Sequence, residues 1–290
     1  MTAERFTLPG DRRIALSVVV NVEEGAEQNI SAGDRKPEPV DELAVALRAP
    51  VRNLANESNY QYGINAGAPR ILRVLDKFSV SCTFTAAAVA LERAPGLAAR
   101  IRDSNHEICS HGHRWVHQFS FDEAQERSFI RAAADSLERS TGRRPLGWLS
   151  RYLFTERTRR LLAEQGFLYH MDDYADDIPR WDWVPLKDEQ RGIVVLPYAL
   201  DTNDMKFWLA PGYTPQQWLD YAVATFDQLY DEGTEQPKIM SLGLHLRIIG
   251  RPGRIGALER FLQHVGSRPD VWTATRLAIA QRFVELNPPG

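Results

Sequence analysis

What most restricts the folding options of this chain is an alternation that runs along its whole length. Short apolar, β-branched runs recur at 13–22, 80–85, 107–110, 147–150, 167–170, 193–198, 239–245 and 271–275, and most are separated by stretches with a helical period at 68–78, 88–102, 122–140, 155–165, 215–232, 255–265 and 276–286. The first run, RIALSVVVNV, is nearly continuous rather than alternating, as expected of a strand covered on both faces. Strand and helix in turn imply parallel βαβ units, and about eight of them in 290 residues suit a closed arrangement better than an open sheet. The expected fold is α/β, a distorted (β/α) barrel of seven to eight strands, formed by residues 1–290 as one domain. The segment at about 29–62 is polar, carries Pro37, Pro39 and Pro50, and lacks sustained period, so it reads as a long loop with at most short helices.

A barrel of this kind puts its chemistry at the carboxyl ends of its strands, and the polar residues gather there. Glu23 and Glu24 follow the first run, Ser110 and His111 the third, Ser150 and Arg151 the fourth, residues 170–173 the fifth, and His245 ends the seventh. Thirty-five Lys and Arg against 38 Asp and Glu argue against a general phosphate-backbone binder. No apolar run is long enough for a bilayer crossing and the first residues lack a signal-like apolar core, so the expectation is a cytoplasmic protein without nucleic-acid or membrane partners. Cys82 and Cys109 each belong to a strand-like run and read as inert core thiols.

Four of the seven histidines fall within 106–117, a density that suits metal binding or proton transfer. The adjacent acids Glu23 and Glu24 suit a base or a cation ligand, and His245 suits a general acid. Arg247, Arg251 and Arg254 follow in RIIGRPGR, either clamping a carboxylate or forming surface ion pairs.

The stretches NVEEGAE, HEICSHGHRW, RRPLGW, GFLYHMDDYADD, PYALDTNDMKF and SLGLHLRIIGRPGR together resemble the polysaccharide deacetylase (NodB-homology) superfamily. They are most similar to its ring-opening branch, which holds the PuuE-type allantoinases and cyclic imide hydrolases. The resemblance implies Glu23 as base, Glu24 as the metal-facing acid, His111 as the first site histidine and His245 as general acid. Trp115 stands four residues after His111, where the wider superfamily has its second histidine. The metal set Glu24 and His111 is then short of the three protein ligands that catalytic zinc keeps, so either His113 or His117 completes it or the site works without metal. The reading adopted is that no cofactor is required, with a divalent metal such as zinc as the alternative. A further departure is Ser150-Arg151-Tyr152-Leu153, where the deacetylases tend to have Pro-Tyr after the arginine.

The expected activity is therefore hydrolysis of a C–N bond in a small cyclic amide, an imide or ureide. Glu23 activates water, His111 with Arg151 or a backbone N–H stabilises the oxyanion, and His245 protonates the departing nitrogen. Substrate contacts are expected from Glu24, His113, Trp115, Trp148, Tyr152, Asp172, Asp201 and Asn203, the aromatic members forming flat walls. The resemblance also implies a homo-oligomer, with a tetramer favoured. The competing readings are a metal-dependent polysaccharide or peptidoglycan N-deacetylase, a barrel that binds without catalysing, and a subunit supporting another hydrolase.

Overall fold

The computed structural model describes residues 4–43, 49–209 and 212–289. Its first strand, β1 (Ile14–Val22), is buried at every residue, as its unbroken apolar run requires. Along one edge it pairs in parallel with β8 (Lys238–His245), from Ile14 opposite Lys238 to Asn21 opposite His245. Its other edge is shared between β2 (Thr83–Ala86) and β9 (Val271–Thr273). Beyond β2 the sheet continues in parallel through β3 (Glu107–Ser110), β4 (Gly147–Trp148), β5 (Tyr169–His170) and β7 (Gln190–Val195), and β6 (Arg180–Pro185) lies antiparallel at the far edge. Main-chain bonds from Ile239 to Asp177 and from Gly243 to Thr202 draw that far side round towards β8. Among the described residues the result is an α/β barrel of eight parallel strands with β6 antiparallel at its edge, curled and left partly open, with loops in place of a closing strand pair.

Side-chain alternation sorts β1 into two environments. Ile14, Leu16, Val18, Val20 and Val22 join the outer core under the helices. Ala15 and Val19 face the barrel interior with Cys109, Leu149, Tyr169, Leu196 and Tyr198. The same parity continues past the strand ends. Glu23, His111 and His245 share the inward parity of Val19, Cys109 and Gly243, so three distant segments aim into one mouth.

The helices are α1 (Leu54–Tyr62), α2 (Ala68–Phe78), α3 (Ala88–Arg93), α4 (Pro95–Arg102), α5 (Glu123–Thr141), α6 (Thr158–Glu164), α7 (Asp204–Leu209), α8 (Pro215–Glu232), α9 (Pro252–Gly266) and α10 (Arg276–Leu286). The reciprocal bonds of Asp122 and Gln125 start α5. Four expectations need correction. The stretch 88–102 is two helices, because Pro95 cannot continue the first and opens the second. The segment 29–62 carries α1, which runs on through a π turn at Gly63–Gly67 into α2, while its residues 44–48 lie outside the described residues. The β6–β7 hairpin and α7 went unforeseen, and the sixth expected run is strand at Gln190–Val195 rather than to residue 198. The two cysteines are free and buried, and burial raises both thiols well above their ordinary value.

Candidate active site

A cleft of about 420 Å³, counting its open mouth, lies at the carboxyl ends of the strands. It brings together Glu23, His111, Trp115, Arg151, Tyr152, Asn203 and His245 of the residues expected from sequence. The remaining expected residues lie elsewhere. Glu24 has the opposite parity to Glu23 and lines a second cleft beside α1 with Glu27 and Tyr60. His113 lies in a shallow surface groove with His117 and Phe119, and the histidine density of 106–117 does not converge in space. Trp148 is fully buried on the outer side of β4, edge-on to Phe129 and Phe167, so it is packing and not a wall. Asp201 is exposed and accepts from the Tyr221 hydroxyl at 2.8 Å. Asp172 is buried below the cleft, where it accepts from both the N–H and the hydroxyl of Ser150 at 2.7 Å. It thus fixes the turn that carries Arg151, and burial pushes its carboxyl up to about 6.

Glu23 is the hub. Its Oε1 lies 3.3 Å from His245 Nε2 and 3.6 Å from His111 Nε2, and its Oε2 accepts from Arg247 Nη1 at 2.8 Å. Burial alone would raise this carboxyl, yet the charges of His245 and Arg247 outweigh it and hold Glu23 well below the ordinary carboxylate range. The ring of His245 has its Nδ1 2.7 Å from Asp204 Oδ1, while Asp204 Oδ2 accepts the N–H groups of His245 and Ile249. Burial opposes a charge on this imidazole, but Glu23 and Asp204 together raise it to about 10. The resting pair is therefore carboxylate and imidazolium. His111 is oriented by Nδ1 on the Leu149 carbonyl at 2.7 Å, an acceptor that requires the proton on Nδ1 and turns Nε2 to the cleft.

Arg247 is a buried clamp and not a surface ion pair. Besides Glu23 it reaches Glu24 Oε1 at 3.5 Å and Glu42 Oε1 at 2.7 Å, and its guanidinium lies 4.2 Å from the Tyr60 ring centre. One cation cannot neutralise three buried carboxylates, and Glu24 gives way. Burial first, and then the charge of Glu23, push it up to about 7 against the pull of Arg247. Arg151 has a matching role on the other side. It meets Glu38 with both terminal nitrogens, bonds the Trp115 carbonyl at 2.6 Å and stacks 3.7 Å from the Trp115 ring centre. The two acids Glu38 and Glu42 come from the segment read as loop, which in this way closes over the site. Tyr152, at the mouth, has a left-handed φ of 51°, a strained backbone of the kind found where ligands are gripped.

The donor set does not fit a divalent metal. Among the described residues no group of three His, Cys, Asp or Glu side chains is arranged to hold one. The guanidinium of Arg247 already stands against both Glu23 and Glu24, where a second cation would meet its charge. The Nε2 atoms of His111 and His245 both face Glu23 Oε1, and Glu24, the expected metal-facing acid, accepts instead from the Glu23 and Arg247 backbone N–H groups.

Sequence reasoning did not single out Tyr198, Asn21, Tyr174 or Lys206, although all four line the cleft. Asp204 stands in a DTND stretch where nothing local announces its bond to the His245 ring, and Tyr198 ends an apolar run.

Comparison with known proteins agrees with this architecture. The polysaccharide deacetylase family model matches residues 58–170. A Schizosaccharomyces pombe protein assigned to the polysaccharide deacetylases is 33% identical over 302 residues, spanning 97% of this chain and 93% of that one. Two crystal structures superpose with a TM-score of 0.91 at 42% identity. One is PuuE allantoinase, with 98% of this chain and 94% of that chain covered. The other is a Pseudomonas aeruginosa PAO1 protein assigned to the polysaccharide deacetylases, with 98% and 95% covered. With such identity along nearly the full length of both chains, and with a barrel whose acids and histidines meet at the strand ends, this chain belongs to the polysaccharide deacetylase family.

Proposed function

We propose that this chain hydrolyses a C–N bond in a small cyclic amide, a cyclic imide or ureide, without a metal. The observation that carries this reading is Arg247, a guanidinium built into the site against Glu23 and Glu24 where a metal-dependent deacetylase would need room for its ion. Two further features support it. The cleft is small, with aromatic walls from Trp115, Tyr152, Tyr174 and Tyr198 suited to a flat ring rather than to a polymer. The 42% identity to an allantoinase across 98% of the chain is in keeping with ring opening.

In this mechanism Glu23 takes a proton from a water that attacks the ring carbonyl. The carbon–oxygen bond forms, the tetrahedral oxyanion collapses, the C–N bond breaks, and the departing nitrogen takes the proton of His245. The two groups have then exchanged states, Glu23 protonated and His245 neutral. Their 3.3 Å contact lets the proton pass directly back, which restores the resting pair. Asp204 keeps the imidazole oriented and favours its charged form, and Arg247 fixes Glu23 from the other side.

The test is turnover of succinimide, maleimide, hydantoin, dihydrouracil and allantoin, with an N-acetylglucosamine oligomer scored for acetate, each with and without a chelator. Ring opening that persists in chelator is the expected result. Acetate release that chelator abolishes would replace this reading with the metal-dependent deacetylase.

A further inference from the structure

The hydrolytic reading gives the site a base and an acid, but its donors for the carbonyl oxygen are sparse. Two nitrogens of Arg151 are committed to Glu38 and the Trp115 carbonyl, which leaves only Nε. Across the cleft, Tyr198 presents a different balance. Its phenolic oxygen accepts from Asn203 Nδ2 at 3.2 Å and from Asn21 Nδ2 at 3.4 Å. Neither amide can turn to accept instead. Asn203 Oδ1 is held by the Met205 N–H at 2.9 Å, and Asn21 Nδ2 donates to the Leu244 carbonyl at 3.2 Å while its Oδ1 accepts from the Thr85 hydroxyl at 2.6 Å.

A phenol with two amide donors on its oxygen has one capacity left, to give its own proton. Among the described residues the Tyr198 O–H has no acceptor, and the residue, only 4% exposed, lines the cleft with Glu23 and His245. Gly243 makes room for it, since a Cβ there would stand 2.3 Å from the phenolic oxygen. Burial raises the phenol further above its ordinary value, so it is protonated and able to donate at neutral pH.

We propose that Tyr198 is a catalytic hydrogen-bond donor that holds the carbonyl oxygen of the amide under attack as it becomes an oxyanion. The inference rests on the hydrolytic reading above and adds the group that stabilises the charge. The two asparagines serve as positioning residues that fix the direction of the O–H.

The experiment is steady-state kinetics of Tyr198→Phe and Asn203→Ala on whichever ring the wild type opens fastest, with Tm recorded for each. Tyr198→Phe removes only the hydroxyl. The expected result is a kcat lower by about 10²-fold with KM nearly unchanged, the pattern of a contact made in the transition state. Asn203→Ala leaves the hydroxyl but frees it to swing, and kcat is expected to fall by about tenfold. A kcat within about threefold of wild type in Tyr198→Phe, at unchanged Tm, overturns the proposal. If that variant does not fold, the same criterion applied to Asn203→Ala decides. A wild type that opens no ring but releases acetate overturns the ring-opening reading alone, and the two variants are then judged by the same criterion on acetate release.

Discussion

Asp204 shows how a single residue sets the protonation of the site. Its two oxygens do different jobs, one on the His245 ring and the other on two backbone N–H groups, so its charge and its geometry are both used. The charge matters for pH dependence. His245 acts as an acid only while protonated, so kcat/KM should hold through neutral pH and fall as pH rises through the imidazole's raised value of about 10. Removing the Asp204 charge lowers that value, because an opposite charge at contact distance is worth about 1 to 3 units. Asp204→Asn should therefore move the alkaline limb of the kcat/KM profile down by that amount. It should also destabilise the fold by about 1–3 kcal/mol, since one amide cannot accept from the ring and from two N–H groups at once. An alkaline limb that stays in place would remove His245 from the acid role. Arg247 makes the complementary point about charge. It is buried with three acids drawn from residues 23, 24 and 42, and nothing local in RIIGRPGR indicates that only its first arginine turns inward to meet them.

At the level of elements, what could be read from the sequence follows from which signals are local. Strand parity is local, and it places Glu23, His111 and His245 in one mouth from their positions alone. Trp148 escaped because the same rule points it outward, a detail hidden by its place at a strand end. The β6 strand escaped because RWDWVP is an edge strand with mixed exposure and no apolar run to announce it. Helix α1 escaped because LANESNYQY is polar with little amphipathic period, so its helical state depends on tertiary contacts. Those contacts hinge on two glycines of the π turn. A Cβ on Gly63 would meet Glu24 Oε1 at 2.5 Å, and one on Gly67 would meet the Leu246 carbonyl at 1.9 Å. The turn can thus press against the end of β8 beside Arg247 only because these side chains are absent. Gly67→Ala should force α1 and α2 away from β8, lower Tm and cut activity by about tenfold or more through displacement of the clamp. Gly256→Ala in α9, with open space around its Cβ, is the control, expected to be neutral or stabilising by up to about 1 kcal/mol. Equal effects of the two substitutions in thermal melts and turnover assays would show that the close approach is not what holds the site.

At the scale of the whole molecule, the β6 edge of the sheet is fastened to the first and last described segments of the chain. The Arg5 N–H donates to Asn287 Oδ1 at 2.8 Å, Asn287 Nδ2 donates back to the Arg5 carbonyl at 2.7 Å, and Trp181 of β6 donates its indole N–H to the Asn287 carbonyl at 3.0 Å. The Trp181 ring also packs 5.6 Å from Phe283 of α10. A single residue thereby joins the beginning of the chain, its last helix and the edge hairpin, and does not line the cleft. Since β1 pairs with β2, β8 and β9 at once, loss of any one neighbour exposes strand buried along its full length, and the barrel should unfold in one step. Deleting residues 287–290 removes these bonds without touching the cleft. Partly exposed hydrogen bonds are each worth about 1 kcal/mol, so the loss should be about 2–3 kcal/mol in total. Tm should fall by several degrees while kcat and KM stay at their wild-type values below the new transition. Fluorescence, to which Trp181 contributes as one of seven tryptophans, and loss of activity should follow the same melting curve in both proteins. If fluorescence in the deleted protein instead moved well before activity, a part of the barrel away from the cleft would be unfolding by itself, and the clasp at Asn287 would be a local fastening rather than part of the barrel's single cooperative unit.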